Sequence, residues 1–202
     1  MTIVAITQRA YTDAAHGEKR DCLDQSWINF LNEVGITPII IPNNIVSVKI
    51  LVSQIKIGGI IFTGGGTLYA YGGKTPERDE TEEFLLNYSK TNTIPLIGVC
   101  RGMQAIQHDH GVKLREITGH VADIQQVTIN GREEPVNSYH NFGTSDTVPE
   151  LKVWAKSLDG VVKAIKHTVH PITGIMWHPE RLTPFVQRDI DLFRKIFLPK
   201  KK

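Results

Sequence analysis

Cysteine is nearly absent: Cys22 and Cys100 are the only two in 202 residues. A pair so sparse makes neither a disulfide framework nor a metal cluster, and it suits a reducing compartment. Charge of either sign is not in excess, with 23 Lys and Arg against 21 Asp and Glu for a net +2. That balance leaves no electrostatic footprint for nucleic acid or an anionic membrane surface. The terminal Pro199, Lys200, Lys201 and Lys202 read as a solvated tail. No apolar run approaches the roughly 20 residues that cross a bilayer. The opening MTIVAITQRA, interrupted by polar Thr7, reads as a first buried strand and lacks the design of a signal peptide. Internal repeats and linker-like stretches are missing as well. The expectation is one domain over residues 1–202, cytoplasmic, with neither nucleic acid nor membrane as partner.

What is present is an alternation of strand-like and helix-like segments. IVAIT (3–7) precedes a helix expected over Asp21 to Val34, with Leu23, Trp27, Phe30, Leu31 and Val34 at helical spacing. TPIIIP (37–42), a weaker helix near 47–54, GGIIFT (58–63), a helix from Asp79 to Tyr88, IPLIGV (94–99) and a helix from Gly102 follow. Apolar strands alternating with helices indicate βαβ units and a mostly parallel sheet covered on both faces. Beyond about residue 112 short strands and turns take over, with ING before REEPV as a hairpin turn, and a helix closes the chain over Pro184 to Phe197. The fold expectation is α/β: a three-layer, mostly parallel sheet with a small antiparallel addition.

Cys100 directly follows the most apolar of these strands and precedes a helix, with Gly98 and Gly102 two residues away on either side. That is the thiol counterpart of the strand-to-helix elbow that presents a nucleophile, where larger neighbours would crowd the turn. A helix N-terminus also favours thiolate over thiol. The ordinary alternative is a small buried hydrophobe; the glycines and the helix start favour an exposed nucleophile. Cys22, placed on the expected helix without such a setting, reads as structural. A thiol nucleophile needs a base and a group to orient it. GIMWHPE (174–180) supplies His178 at a strand end and Glu180 across a proline, although alone this tripeptide also suits a surface turn. The run FTGGGT (62–67) allows close backbone approach and positive φ. It lacks the lysine and serine of a P-loop, and it fits an oxyanion hole shared with the N–H after Cys100, or else a flexible loop.

Taken together, GVCRGMQ, WHPE and the glycine run resemble the class I glutamine amidotransferase domain, and within it the free-standing γ-glutamyl hydrolases of peptidase C26 type. VNSYH (136–140) and PERDETE (76–82) extend the likeness over nearly the whole chain. The resemblance implies a flavodoxin-like sheet. It also implies that Cys100 attacks a γ-carbonyl, His178 shuttles the proton, Glu180 orients His178, and the N–H groups of Gly65 and Arg101 hold the oxyanion. Gly64, Gln104, Ser138, Tyr139 and His140 match positions that grip the glutamyl end. Thr63, Thr67 and Asn141 depart from the residues common in the family and bear on the pocket rather than on the reaction. No cofactor or metal is implied for the thiol chemistry; Mg²⁺ would enter only with a diphosphate-bearing substrate.

Relatives acting on γ-glutamylated amines often carry acidic residues in the strand that here reads VVKAIKHTVHP (161–171). Lys163, Lys166 and His167 stand there instead. If one face of that strand borders the pocket, these residues contact an anionic, even nucleotide-linked, leaving group; a solvated strand face is the alternative. A glutaminase subunit serving a separate synthase and a non-catalytic binding protein are the competing functional readings. Residues 66–80 are a candidate lid or a plain surface loop.

Overall fold

The computed structural model describes residues 2–198, so the expected basic tail at 199–202 lies outside the described residues. In chain order the elements are β1 (Thr2–Thr7), β2 (Arg9–Thr12), β3 (Lys19–Cys22), α1 (Gln25–Val34), β4 (Ile36–Ile41), α2 (Ile45–Gln54), β5 (Gly59–Phe62), α3 (Pro76–Asn92), β6 (Leu96–Val99) and α4 (Arg101–Asp109). Then come β7 (Arg115–Glu116), β8 (Val121–Ile129), β9 (Arg132–Tyr139), β10 (Phe142–Gly143), β11 (Leu151–Ser157), β12 (Val162–His167), β13 (Ile172–Ile175) and α5 (Gln187–Phe197).

One nine-stranded sheet runs β4-β1-β5-β6-β13-β12-β11-β8-β9. It is parallel from β4 through β13 and antiparallel from β13 onward. The antiparallel part is a four-stranded wing continuous with the parallel sheet, larger than the small addition expected. Strands β5, β6 and β13 are buried along their whole length, as a sheet covered on both faces requires. On one face α1 and α5 pack Trp27, Phe30, Phe193 and Phe197 against it. On the other, α2, α3 and α4 bury Val48, Leu85, Leu86, Met103 and Ile106. The result is the three-layer, flavodoxin-like arrangement.

The helix expected from Asp21 begins at Gln25, because Asp24 caps it by accepting from the Ser26 N–H at 2.9 Å. Asp21 and Cys22 belong instead to a β2–β3 hairpin that the sequence reading did not foresee. The turn between β8 and β9 is Asn130-Gly131, both at positive φ, matching the twist of the flanking strands.

The β1-to-β4 connection leaves on one side of β1, and the return through α2 places β5 on the other. The carboxyl ends of β1 and β5 therefore flank the point where strand order reverses, which is where ligands gather in open α/β sheets.

Candidate active site

The elbow at Cys100 is forced by its neighbours. Cys100 has φ 53° and ψ −106°, a left-handed backbone that a cysteine adopts only when its surroundings impose it. A side chain on Gly98 would fall 2.4 Å from the Gly102 backbone, and one on Gly102 would fall 2.5 Å from the Phe62 carbonyl. Both glycines are needed for α4 to pack down onto β5 and β6. The Cys100 N–H donates to the Ile175 carbonyl at 2.8 Å, tying the end of β6 to β13.

Because β6 and β13 are parallel neighbours, the chain leaving β13 carries His178 to the same edge as Cys100. Asn137 on β9 fixes that position: its carbonyl oxygen accepts from the His178 N–H at 2.7 Å and its amide donates to the His178 carbonyl at 2.8 Å. Glu180, on a 3-10 turn that Pro179 initiates, meets His178 Nδ1 at 2.7 Å. That contact leaves Nε2 as the free ring nitrogen; it is buried and has no hydrogen-bond partner. Burial alone would raise the Cys100 thiol, but the nearby His178 and the Arg101 N–H overcome it and hold it below the usual thiol range. Burial would lower His178, but the nearby sulfur and Glu180 push it up to about 9. Each group is among the causes of the other's shift, so the two titrate as a coupled pair.

Cys100 is 6% exposed, which corrects the expectation of a thiol held up in solvent. Gly64 and the His178 ring close over it: a side chain on Gly64 would come within 2.5 Å of His178 Cε1 and 3.4 Å of Cys100 Cβ. Gly65 and Gly66 follow at φ 84° and 80°. The loop is held from behind by Arg78, which the sequence reading passed over. Its buried guanidinium donates to the carbonyls of Thr63 at 2.7 Å, Gly64 at 3.3 Å and Gly65 at 2.7 Å, and to Glu82 at 3.0 Å. Burial lowers Arg78 to about 10, and Glu82 opposes that shift. Glu82 also binds Arg101 and accepts from Thr7, while Arg101 reaches Asp79. The PERDETE segment thus links the glycine loop to Arg101, the residue after Cys100. Thr63 joins this lattice by donating to the Thr7 carbonyl at 2.9 Å. The candidate lid is knit in place: Tyr69 N–H donates to Asp79 at 2.7 Å, Gly73 N–H to the Leu68 carbonyl at 3.0 Å, and residues from Pro76 are helical.

Gln104 donates to the Phe142 carbonyl at 2.9 Å. The Ser138 hydroxyl donates to the His120 carbonyl at 2.8 Å and accepts from Lys163 Nζ at 3.1 Å. Lys163 also meets His140 Nε2 at 2.7 Å, while His140 Nδ1 donates to the Phe142 carbonyl at 2.8 Å. Burial drives His140 down to about 3 and Lys163 down to about 8. The side chains of Ser138 and His140 are therefore engaged within the protein. The Tyr139 ring lies 5.8 Å from that of His178, and its hydroxyl donates to Asp123.

Of the three basic residues expected at the leaving group, only Lys163 comes near Cys100, whose charge it feels. Strand β12 runs antiparallel to β13, with Ala164 opposite Ile175 and Lys166 opposite Thr173, so its later residues lie at the other end of the sheet. There Lys166 is exposed, and His167 is buried, accepting from the Val169 and His170 N–H groups. Cys22, read from sequence as structural on a helix, is an exposed strand residue lining a cleft of about 230 Å³ that reaches Gly64, His178 and Glu180. Among the described residues, no group of three His, Cys, Asp or Glu is arranged to hold a metal ion, and no helix is long and apolar enough to cross a membrane.

Residues 20–193 match the family described as glutamine amidotransferase class-I. The chain belongs to that family. Among similar proteins, γ-glutamyl-CDP-amidate hydrolase from Campylobacter jejuni is 30% identical over 185 residues, covering 88% of this chain and 90% of the relative. γ-Glutamyl-γ-aminobutyrate hydrolase PuuD from Escherichia coli is 26% identical, covering 81% and 80%. A glutamine-hydrolysing GMP synthase subunit from Pyrococcus abyssi is 31% identical, covering 74% and 79%. Among solved structures, a GMP synthase subunit from Thermoplasma acidophilum superposes over 98% of this chain and 92% of its own length, with a TM-score of 0.72 at 19% identity. That last likeness establishes the amidotransferase fold and nothing finer.

Proposed function

We propose that the protein hydrolyses a γ-glutamyl amide by thiol catalysis, releasing glutamate, with γ-glutamyl-CDP-amidate as the substrate that best fits its relatives. The observation carrying this reading is the juxtaposition of Cys100 and His178 against Gly64, with His178 anchored to Glu180 at 2.7 Å. The Cys100 thiolate adds to the γ-carbonyl carbon, and the resulting oxyanion is met by the N–H groups of Gly65 and Arg101. Each such donor is worth about 2.7–4 kcal/mol in the transition state. His178 gives its proton to the leaving nitrogen as the C–N bond breaks, leaving a thioester on Cys100. Water then attacks the thioester, His178 takes the proton from it, and glutamate departs with the thiolate restored. With γ-glutamyl-CDP-amidate the other product is cytidine diphosphoramidate, an activated phosphoramidate suited to modifying a capsule polysaccharide.

Likeness to the Pyrococcus GMP synthase component favours a second reading, a glutaminase that passes ammonia to a separate synthase. Glutamate release by the isolated chain separates the two. We expect turnover of γ-glutamyl conjugates far above that of glutamine, abolished in Cys100→Ala. Turnover of glutamine alone, and only in the presence of a partner, would establish the second reading instead.

A further inference from the structure

The two arginines at the mouth of the 230 Å³ cleft take no part in the chemistry above. Arg9 opens β2, just after β1 ends, and a side chain on the oxyanion-loop Gly65 would meet its stem at 3.0 Å. Among the described residues no carboxylate pairs with Arg9. Arg181 follows Glu180, lies over the Tyr139 ring at 5.0 Å, and has only a loose 3.6 Å contact to Glu180. Asp24 also lines the cleft, but its carboxylate is engaged in capping α1.

We infer that Arg9 and Arg181 form an anion clamp for the leaving group, selecting γ-glutamyl amides whose leaving nitrogen carries a phosphate or diphosphate. The assignment rests on the hydrolase reading, because the direction of proton transfer orients the substrate. His178 must protonate the departing nitrogen, so the leaving group lies on the His178 side and the glutamyl end lies toward Gln104. The cleft is lined by His178 and by residues that follow β1 and β5, the crevice where strand order reverses. Two guanidiniums lining the same cleft, neither closer than 3.6 Å to a carboxylate, offer the forked donors that match phosphate oxygens. The clamp replaces the role expected of Lys166 and His167, which stand at the far end of β12.

The test separates anion binding from turnover. Pyrophosphate is titrated against carbamidomethylation of Cys100 by iodoacetamide, read by site-resolved mass spectrometry so that Cys22 does not contribute. Wild-type protein is expected to be protected. The half-protecting concentration should rise at least about 10-fold in Arg9→Gln and in Arg181→Gln, and about 100-fold in the double variant, with lysine at either position recovering part of the loss. The ratio of kcat/KM for γ-glutamyl-CDP-amidate over that for neutral γ-glutamyl-p-nitroanilide should fall by similar factors. Absence of protection in the wild type, or equal protection in the double variant with unchanged melting, overturns the clamp even if both substrates are hydrolysed. Protection that depends on the arginines, without glutamate release from either substrate, overturns the hydrolase reading and leaves the anion site in place.

Discussion

Arg78 offers the most demanding check on how the glycine loop is held. Replacing it with methionine keeps most of the volume and removes the guanidinium that binds the carbonyls of Thr63, Gly64 and Gly65. Breaking a buried ion pair from one side costs about 3–5 kcal/mol. Glu82 retains Arg101 and the Thr7 hydroxyl, so the lower end applies, about 3 kcal/mol. For a chain of this size that corresponds to a fall in Tm of about 6–12 °C. On the proposed mechanism the catalytic loss is separate, since a loop free to turn no longer presents the Gly65 N–H, and removal of an oxyanion donor costs about 100-fold to 1000-fold. Calorimetry gives the first quantity, and glutamate release measured well below the melting point gives the second. Arg78→Lys sharpens the comparison: its ammonium can pair with Glu82 but cannot span three carbonyls, so it should recover Tm more than activity. If Arg78→Met melts early yet keeps kcat/KM within twofold of wild type, the guanidinium supports the fold without positioning the loop, and the reasoning fails.

Two further perturbations read the charges directly. Because Glu180 is one of the groups raising His178, Glu180→Gln should shift the alkaline limb of the kcat/KM profile down from about pH 9 and reduce kcat; an unmoved or upward-moving limb would contradict the pairing. Lys163 is held near 8 by burial in the folded state against 10.5 ordinarily, so between these values the unfolded chain binds more protons and stability rises with pH. Relative to Lys163→Met, the wild type should gain about 2 kcal/mol between pH 7.5 and 9.5, seen as a Tm difference of about 4–8 °C, whereas parallel curves would mean the ammonium is well solvated.

The parallel half of the fold was legible in the sequence because strands buried on both faces are written as unbroken apolar runs, as in IPLIGV and GGIIFT. The order of helices came with them. The β2–β3 hairpin was not legible: its residues are mostly exposed and its alternation is masked by the apolar positions that open α1. The elbow could be read from glycine spacing alone, since the clashes at Gly98 and Gly102 are local. The contributions of Arg78 and Asn137 could not, because each acts across long sequence separations by bonding backbone that only the assembled sheet brings near. The basic strand misled for a related reason. Charge composition is visible in VVKAIKHTVHP, but the reversal of β12 against β13, which sends Lys163 and Lys166 to opposite ends, belongs to topology.

Cys100 and His178 hang from two adjoining, fully buried strands, while the arginines of the cleft come from a hairpin and a short turn. The two sets nevertheless touch, since Arg181 shares its turn with Glu180 and the Arg9 stem lies against Gly65. On the proposed mechanism, a substitution at either arginine would therefore also be felt at Glu180 or at the glycine loop. Heat, conversely, should extinguish activity only when the whole sheet lets go.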